Sequence, residues 1–502
     1  MLDRLRQSPL RTSLEKVTFM QAACACAAAF CVLIPLYLLT LGAALSLVDD
    51  DDVIKNLRVS VEDGAFREAI ERMPSQFGHL GHRFDMFSEC VGLGINLGNA
   101  NRSLLYRIAA APYIAPEGTK AGIGTSLPCA DLVKALESRP DAETPYFRFW
   151  HGYQAYIRAL LQKDLPISDA GPLHNLRICN AVLLYASLFF LSVGLRRWYG
   201  RLAPAILLLP LALATGLLTE PIVTVHALPS AWTYLSIALA MMMLEADGGP
   251  SLRLLLFCFV SGSVFNFIGM LFSPQLAPAF ICFVAITAYL RVGDVRRDWL
   301  RMLRCSFMLA ATWFCGFATT WAAKWALATV ALGFQTVRAS LGEAASGVNY
   351  ASHRLAAEEH TPATLYALEQ FPSWVVISMG LALASVAIAL AFNAARGVDV
   401  KKPAAEWLLL QSPLLIVAAW TEAMRSHSFE HPAFAQRGMM VFLFFPLLGL
   451  LFVLRDAERS GIPALLASLR SAAAWAATPS STSTERILRR SEATPGDGDP
   501  RP

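Results

Sequence analysis

Apolar residues in this chain are gathered into long unbroken runs separated by short polar stretches. The runs are roughly 17 to 30 residues long, enough to cross a hydrocarbon layer of about 30 Å at 1.5 Å per residue. The first covers 17–48, and the others fall near 175–195, 202–219, 230–245, 253–272, 276–290, 305–331, 373–395, 404–421 and 437–454. This pattern predicts an all-α polytopic membrane protein with about ten transmembrane helices, the later ones forming a bundle over 175–455. The long segment 49–174 is of mixed polarity, with amphipathic stretches and turn signals such as Ala115-Pro116-Glu117-Gly118. It reads as one large first loop containing amphipathic helices. The N-terminal segment 1–16 is basic, and the apolar run behind it is too long for a signal-peptide core and has no convincing cleavage site, so the first helix is expected to stay. The tail, 456–502, offers one candidate surface helix at 462–477 and then turns rich in Ser, Thr, Pro and Gly, which predicts partial disorder.

Composition agrees with a lipid environment. Hydrophobic residues make up 55% of the 502 and charged residues only 16%, against about a quarter charged in soluble domains. The net charge of +4 resides mostly in short connections, which reads as an orientation signal rather than a nucleic-acid footprint. Arg196, Arg197 and Arg201, then Arg253, then Arg291, Arg296, Arg297, Arg301 and Arg304, then Arg396, Lys401 and Lys402, and finally Arg455 all fall on the side of the N-terminus. Positive-inside bias therefore places both termini in the cytoplasm and the first loop outside it. The other surfaces on that far side are a turn at 219–230 and the loops 333–372 and 421–438, where function is expected to concentrate. Eight of the ten cysteines lie in apolar runs as small buried hydrophobes, while Cys90 and Cys129 lie in the first loop. An extracytoplasmic compartment would permit a disulfide between these two, and no CxxC pair suggests a metal.

Ionisable groups in or beside a span are costly, so each is a functional candidate. Lys324 lies in Thr320-Trp321-Ala322-Ala323-Lys324-Trp325, toward the outer end of its helix. The plain reading is a lysine snorkelling to the headgroups. The sharper one is a cation for a lipid-linked phosphate. Glu422, Arg425, His427, His431 and Arg437 cluster just outside the ninth span. His427 and His431 have the four-residue spacing of a zinc site, but Pro432 breaks such a helix. A divalent metal therefore has little support, and anion binding by Arg437 with imidazole donors is the reading preferred over solvated loop residues.

Within the first loop, Asp49 to Asp52 form an acidic run where the first helix leaves the membrane. Solvation explains it, although a carboxylate there could also act as a general base on an acceptor hydroxyl. Asp85 and Glu89 sit four apart between apolar residues, as on one face of a helix, where burial of a carboxylate pair would raise one pKa. Tyr146-Phe147-Arg148-Phe149-Trp150-His151-Gly152-Tyr153 interleaves aromatics with Arg and His. Such a stretch suits sugar stacking and phosphate pairing, or an interfacial amphipathic segment. There is no Walker A loop, no GxGxxG after a strand and no serine hydrolase elbow, which argues against cytosolic nucleotide chemistry.

Taken together, four stretches resemble a group of bacterial membrane glycosyltransferases with the GT-C fold. Ser88-Glu89-Cys90-Val91-Gly92-Leu93 resembles a Thr-Asp-Cys-x-x-Leu pattern, and Arg148-Phe149-Trp150-His151-Gly152-Tyr153 resembles Arg-Tyr-Trp-His-Gly-Tyr. The Trp321 to Trp325 unit and the His427, His431, Phe434, Arg437 series complete the set. The resemblance covers most of 49–440 and includes arabinofuranosyltransferases that decorate cell-envelope glycans or pilins. It implies a site facing the periplasm on a bacterial inner membrane. It also implies a polyprenyl-phosphate sugar donor, with decaprenyl-phosphate pentofuranose as first choice, and a glycan or protein acceptor. Glu89 stands where Asp is usual, Phe149 where Tyr is usual and Ala159 where Pro is common.

On this reading the base is Asp85 or Glu89, with Asp50 as outsider. Lys324, Arg437, His431 and His427 face the donor phosphate, while Arg148, Trp150, His151, Tyr153 and Glu422 shape the sugar or acceptor pocket. No cofactor is certain, and a divalent metal is possible but not supported. Two alternatives remain: a polymerase or ligase of lipid-linked O-antigen-type glycans, whose large loop usually comes later in the chain, and a lipid-linked glycan transporter or flippase. The transporter would call for internal repeats and a charge at the bilayer midplane, neither of which the sequence displays.

Overall fold

The computed structural model describes residues 17–64, 89–97, 101–114, 128–138, 143–162, 167, 171–214, 224–269, 273–292, 295–339, 362–369, 376–377, 380–381, 383–384, 386–388, 401–425 and 438–459. The described chain is mostly helical, and five helices are long and apolar enough to cross a membrane. The first, α1 (Phe19–Leu47), starts at a reciprocal cap: Thr18 Oγ1 accepts from the Gln21 amide, and Gln21 Oε1 accepts from the Thr18 amide. Its buried residues, Leu33, Tyr37, Leu41, Ala44 and Leu45, recur every three to four positions and form one inward stripe. Only 11% of its apolar window is buried by protein, against 61% in Thr224–Asp247, so α1 stands at the edge of the helices and Thr224–Asp247 at their centre.

After α1 the chain builds a small domain from α2 (Asp50–Glu62), α3 (89–94), α4 (Leu104–Ala110), β1 (Pro112–Ile114), α5 (Pro128–Ser138), β2 (Glu143–Pro145) and α6 (Tyr153–Gln162). The acidic run has a local purpose here. Asp49 caps α2 by accepting from the Asp51 amide, and Asp50, Asp51 and Asp52 fill its first turn, where negative charge complements the helix dipole. The two strands pair antiparallel, Tyr113 opposite Thr144, and Ile95 bridges to Tyr113. This small hairpin-like sheet is a feature the all-α expectation lacked, since three-residue strands carry no readable alternation. Val53, Ile54 and Leu57 of α2, Val91 and Leu93 of α3, Leu132 and Leu136 of α5, and Ile157 and Leu161 of α6 form the domain's own core. Leu173, Leu176 and Val225 from the membrane helices enter the same cluster, so the domain sits directly on the bundle. Cys90 and Cys129 form a disulfide that joins α3 to α5.

The bundle continues with α7 (Pro172–Tyr199), α8 (Ala203–Ala214), α9 (Thr224–Asp247), α10 (Leu252–Ile268), α11 (Leu276–Val292) and α12 (Val295–Leu332). It goes on through α13 (Ala363–Glu369), α14 (Lys401–Gln411), α15 (Leu414–Ala423) and α16 (Val441–Arg459). One apolar cluster runs through most of these, from Leu184 on α7 to Phe445 and Leu448 on α16. Helices α10 and α12 touch backbone to backbone. A Cβ at Gly262 would lie 2.0 Å from the Trp313 carbonyl oxygen, and one at Gly316 would lie 2.0 Å from that of Phe259. Small residues at such a crossing let membrane helices approach where no hydrophobic driving force exists between them.

The expected ten spans are matched in part. The five candidates by length and composition are Phe19–Leu47, Pro172–Tyr199, Thr224–Asp247, Trp299–Leu332 and Lys401–Ala423. Leu252–Ile268, Leu276–Arg291 and Val441–Val453 are apolar but shorter. The expected span at 404–421 is broken into α14 and α15, because Pro413 brings no amide hydrogen and caps the second helix instead. The expected span at 373–395 falls mostly outside the described residues, as do 1–16 and all of the tail beyond Arg459.

Replacing both Cys90 and Cys129 by Ser opens a loop of sequence separation 39. Chain entropy alone then predicts a loss of about 4 kcal/mol, read as a lower melting temperature of the purified protein. Thiol titration of the denatured, unreduced wild-type chain should count the eight other cysteines and no more.

Candidate functional site

The stretch from Tyr146 to Gln154 is where the first-loop domain is fastened to the bundle, and nearly every residue in it bonds to a different element. The Trp150 indole donates to the Thr320 carbonyl at 2.7 Å, and the Trp321 indole donates back to the Arg148 carbonyl at 2.7 Å. Phe149 stacks parallel to Trp321 with ring centres 6.4 Å apart, and Phe147 meets Trp325 edge-on. The Gly152 amide donates to the Phe267 carbonyl at 2.8 Å. A Cβ at Gly152 would be 2.5 Å from the Phe267 ring, so no other residue fits there. The Gln154 side chain donates to the Gly92 carbonyl of α3. Three of the four sequence motifs, those of α3, 148–153 and 321–325, therefore meet in one layer between domain and bundle.

His151 is held at φ +58°, an uncommon left-handed conformation for a non-glycine residue, and is 1% exposed. Its Nε2 lies 2.9 Å from the Tyr146 carbonyl and its Nδ1 lies 2.9 Å from the Tyr153 hydroxyl. A carbonyl can only accept, so Nε2 carries the proton and Nδ1 accepts from Tyr153. Burial, with the Lys324 charge nearby, pushes the imidazole down to about 3, so the ring is neutral. Trp150 and Tyr153 are likewise closed to solvent. These three side chains are consumed in joining the layer, in place of the sugar-facing role expected of them. Arg148 alone among them has an exposed side chain.

Lys324 on α12 is fully buried, and its Nζ donates to the carbonyls of Ile108 at 2.5 Å and Ala109 at 3.0 Å. It also lies 5.7 Å over the Trp150 ring. These carbonyls end α4, which closes with Ala111 in a left-handed cap at φ 45°, so the lysine serves as a C-terminal cap arriving from another element. The snorkelling reading is thereby corrected: the ammonium points into protein.

Two carboxylates of the domain are buried, and they are treated differently. Asp50 is enclosed by Arg107 and Arg158; Arg107 reaches Oδ1 at 3.1 Å and Oδ2 at 2.9 Å, and Arg158 contacts Oδ1. Those arginines also bond the carbonyls that end α1, Arg107 to Leu45 and Arg158 to Ala44 and Val48. With both oxygens held by arginines, Asp50 ties α1 to the domain as a structural ion pair. Glu89 is the first described residue of α3 and is 2% exposed. Its Oε2 accepts from Arg177 of α7 at 2.5 Å, while its Oε1 is buried with no hydrogen-bond donor among the described residues. One turn along α7, Asn180 donates to Thr224 at the start of α9 at 3.0 Å.

Glu422 is exposed and caps α13, its oxygens accepting from the Ala363 amide at 3.2 Å, the Thr364 amide at 2.9 Å and the Thr364 hydroxyl at 2.9 Å. Asp85, His427, His431 and Arg437 lie outside the described residues. Among the described residues no group of three or more His, Cys, Asp or Glu side chains could hold a metal ion. Sequence reasoning missed Arg177. It sits at Leu176-Arg177-Ile178, inside an apolar run, and the rule that flagged Lys324 would have flagged it too. No protein-family model matches this chain, and neither a curated protein nor a solved structure matches it.

Because folded His151 stays neutral far below 6.5 while the unfolded imidazole protonates near that pH, its contribution to stability is complete above about pH 6.5 and shrinks as pH falls toward 3. The melting temperature should drop on going from pH 7 to about pH 5, and His151→Asn, which tolerates a left-handed backbone, should flatten that slope while lowering the neutral-pH value. Lys324→Met should lower stability by about 2 kcal/mol or more, since the Ile108 and Ala109 carbonyls lose a charged donor in a buried place. Unchanged thermal unfolding in the lysine variant would contradict the cap.

Proposed function

We propose that this protein is an integral-membrane glycosyltransferase of GT-C architecture. It moves a sugar, with a pentofuranose such as arabinofuranose as first choice, from a polyprenyl-phosphate donor to a glycan or protein acceptor outside the cytoplasm. The reading includes an inner-membrane location, about ten spans, cytoplasmic termini and a site on the periplasmic face. The observation that supports it best is that three separated motif stretches, those of α3, 148–153 and 321–325, adjoin one another through direct contacts. Arg148 is exposed at that layer, and Lys324 is buried in it with two neutral carbonyl partners. A Cys90–Cys129 disulfide fits an oxidising compartment for the domain.

The transfer itself is a displacement at the anomeric carbon. The acceptor hydroxyl oxygen forms the new bond to that carbon, its proton passes to a carboxylate, and the bond from carbon to phosphate oxygen breaks. The polyprenyl phosphate leaves with the electron pair, and cations receive the charge that develops on it. Glu89 is the base on this reading, since its Oε1 is a buried carboxylate oxygen with no hydrogen-bond donor among the described residues. Arg148 and Lys324 stand nearest the phosphate role among the described residues, and Arg437, His431 and His427 complete that candidate set.

Purified protein supplied with a polyprenyl-phosphate pentofuranose and a glycan acceptor should release free polyprenyl phosphate in proportion to sugar transferred. A transporter would release none. Glu89→Gln keeps an oxygen for Arg177 but takes no proton, so transfer should fall by about 100-fold or more while the variant elutes as the wild type does. Wild-type turnover in that variant would remove Glu89 from the chemistry.

A further inference from the structure

The two buried carboxylates of the first-loop domain supply an internal comparison. Asp50 has arginine donors on both oxygens and a backbone role on all sides, as a structural ion pair should. Glu89 has one arginine on Oε2 and, among the described residues, no donor on its buried Oε1. A carboxylate oxygen left bare in a buried place is costly and is tolerated where a ligand supplies the missing donor. The backbone beneath Glu89 is also unusually constrained. Cys90, the next residue, is tied to α5 by the disulfide, Gly92 accepts from Gln154, and α3 shares its apolar core with Val225 of α9. Arg177 belongs to α7, a different element on the membrane side, and so fixes the one remaining freedom, the rotamer of the carboxylate.

We infer that Arg177 is the positioning residue of the site: by clamping Oε2 it turns the free Oε1 of Glu89 toward the acceptor hydroxyl and balances the carboxylate's charge without touching substrate itself. This rests on the reading of Glu89 as the base, and it makes the acceptor a hydroxyl donor that satisfies Oε1. Arg177 then contributes to turnover more than to donor binding, because the donor's phosphate lies with the other cations. The guanidinium also has to come from the membrane helix. The same two charges exchanged between α3 and α7 would hold the structure together equally well but would put the carboxylate on the wrong element.

The test uses the full-length protein in lipid nanodiscs, with the polyprenyl-phosphate pentofuranose and acceptor above. Arg177→Ala should lower kcat by about 100-fold with donor KM changed less than about threefold, and Arg177→Lys should recover most of that loss. The reversed pair, Glu89→Arg with Arg177→Glu, should regain a near wild-type melting temperature while remaining inactive. A reversed pair that is active, an Arg177→Ala variant with wild-type kcat, or a loss in Arg177→Ala that follows melting temperature and is not recovered by lysine would each reduce the pair to a structural one and overturn the inference. Wild-type turnover in Glu89→Gln would instead overturn the assignment of the base, and absence of transfer by the wild type would overturn the glycosyltransferase reading with everything built on it.

Discussion

The seat of Lys324 on the end of α4 is the interaction on which the arrangement of this molecule turns. A lysine within an apolar helix must find partners inside the protein, since an unpaired ammonium in hydrocarbon is costly. Here the partners are the carbonyls of Ile108 and Ala109, which a helix end leaves without internal donors. Two deficits cancel, one on α12 and one on α4, and the cancellation is only available if the first-loop domain docks in a single orientation. The indole bonds between Trp150 and Thr320 and between Trp321 and Arg148 then follow as neighbours of that contact. The neutral state of His151 follows too, because a second cation beside Lys324 in a dry layer would be repelled as well as desolvated.

Charge in the dry regions of the protein is divided among centres with distinct jobs. Asp50 with Arg107 and Arg158 has more cation than anion, and the surplus is directed at the carbonyls that end α1, so the triad fastens the first membrane helix to the domain. Lys324 fastens the domain to α12. Glu89 with Arg177 is the least saturated of the three, with an oxygen that has no donor among the described residues. Buried ion pairs add little net stability, because desolvation offsets their attraction. The value of the first two centres is therefore geometric: they fix where α3 and its carboxylate stand relative to the bundle.

Much of this was legible in the sequence, and the limits are physical. Hydropathy located the membrane runs and the large loop, because lipid imposes length and composition together on any helix that crosses it. It could not decide on spans where a run is short, as at Leu252–Ile268, Leu276–Arg291 and Val441–Val453. The motifs pointed to stretches that the structure brings into contact, but most of their side chains are bonded within the protein. Aromatic and histidine side chains look alike in sequence whether they face a ligand or a neighbouring backbone, and Trp150, His151 and Tyr153 face backbone and one another. Asp50 and Glu89 were likewise indistinguishable as carboxylates. What separates them is the number of arginines within reach, and those come from Arg107, Arg158 and Arg177, which lie tens of residues away along the chain.

That separation has a consequence for how such a site can vary. The residues of 148–153 are bound by shape: Gly152 by the Phe267 ring, His151 by its left-handed backbone and two hydrogen bonds, Trp150 by an indole bond in a closed space. Changing any of them moves the whole domain on the bundle. The exposed Arg148 side chain is under no such constraint, and it can be altered without unseating Lys324. Replacing Glu89 by Asp would shorten the side chain by one methylene, and the Arg177 clamp would then decide where the carboxylate oxygens end up. If Glu89 is the base, as proposed, its partner Arg177 on α7 is the place where the reach of that carboxylate can be adjusted.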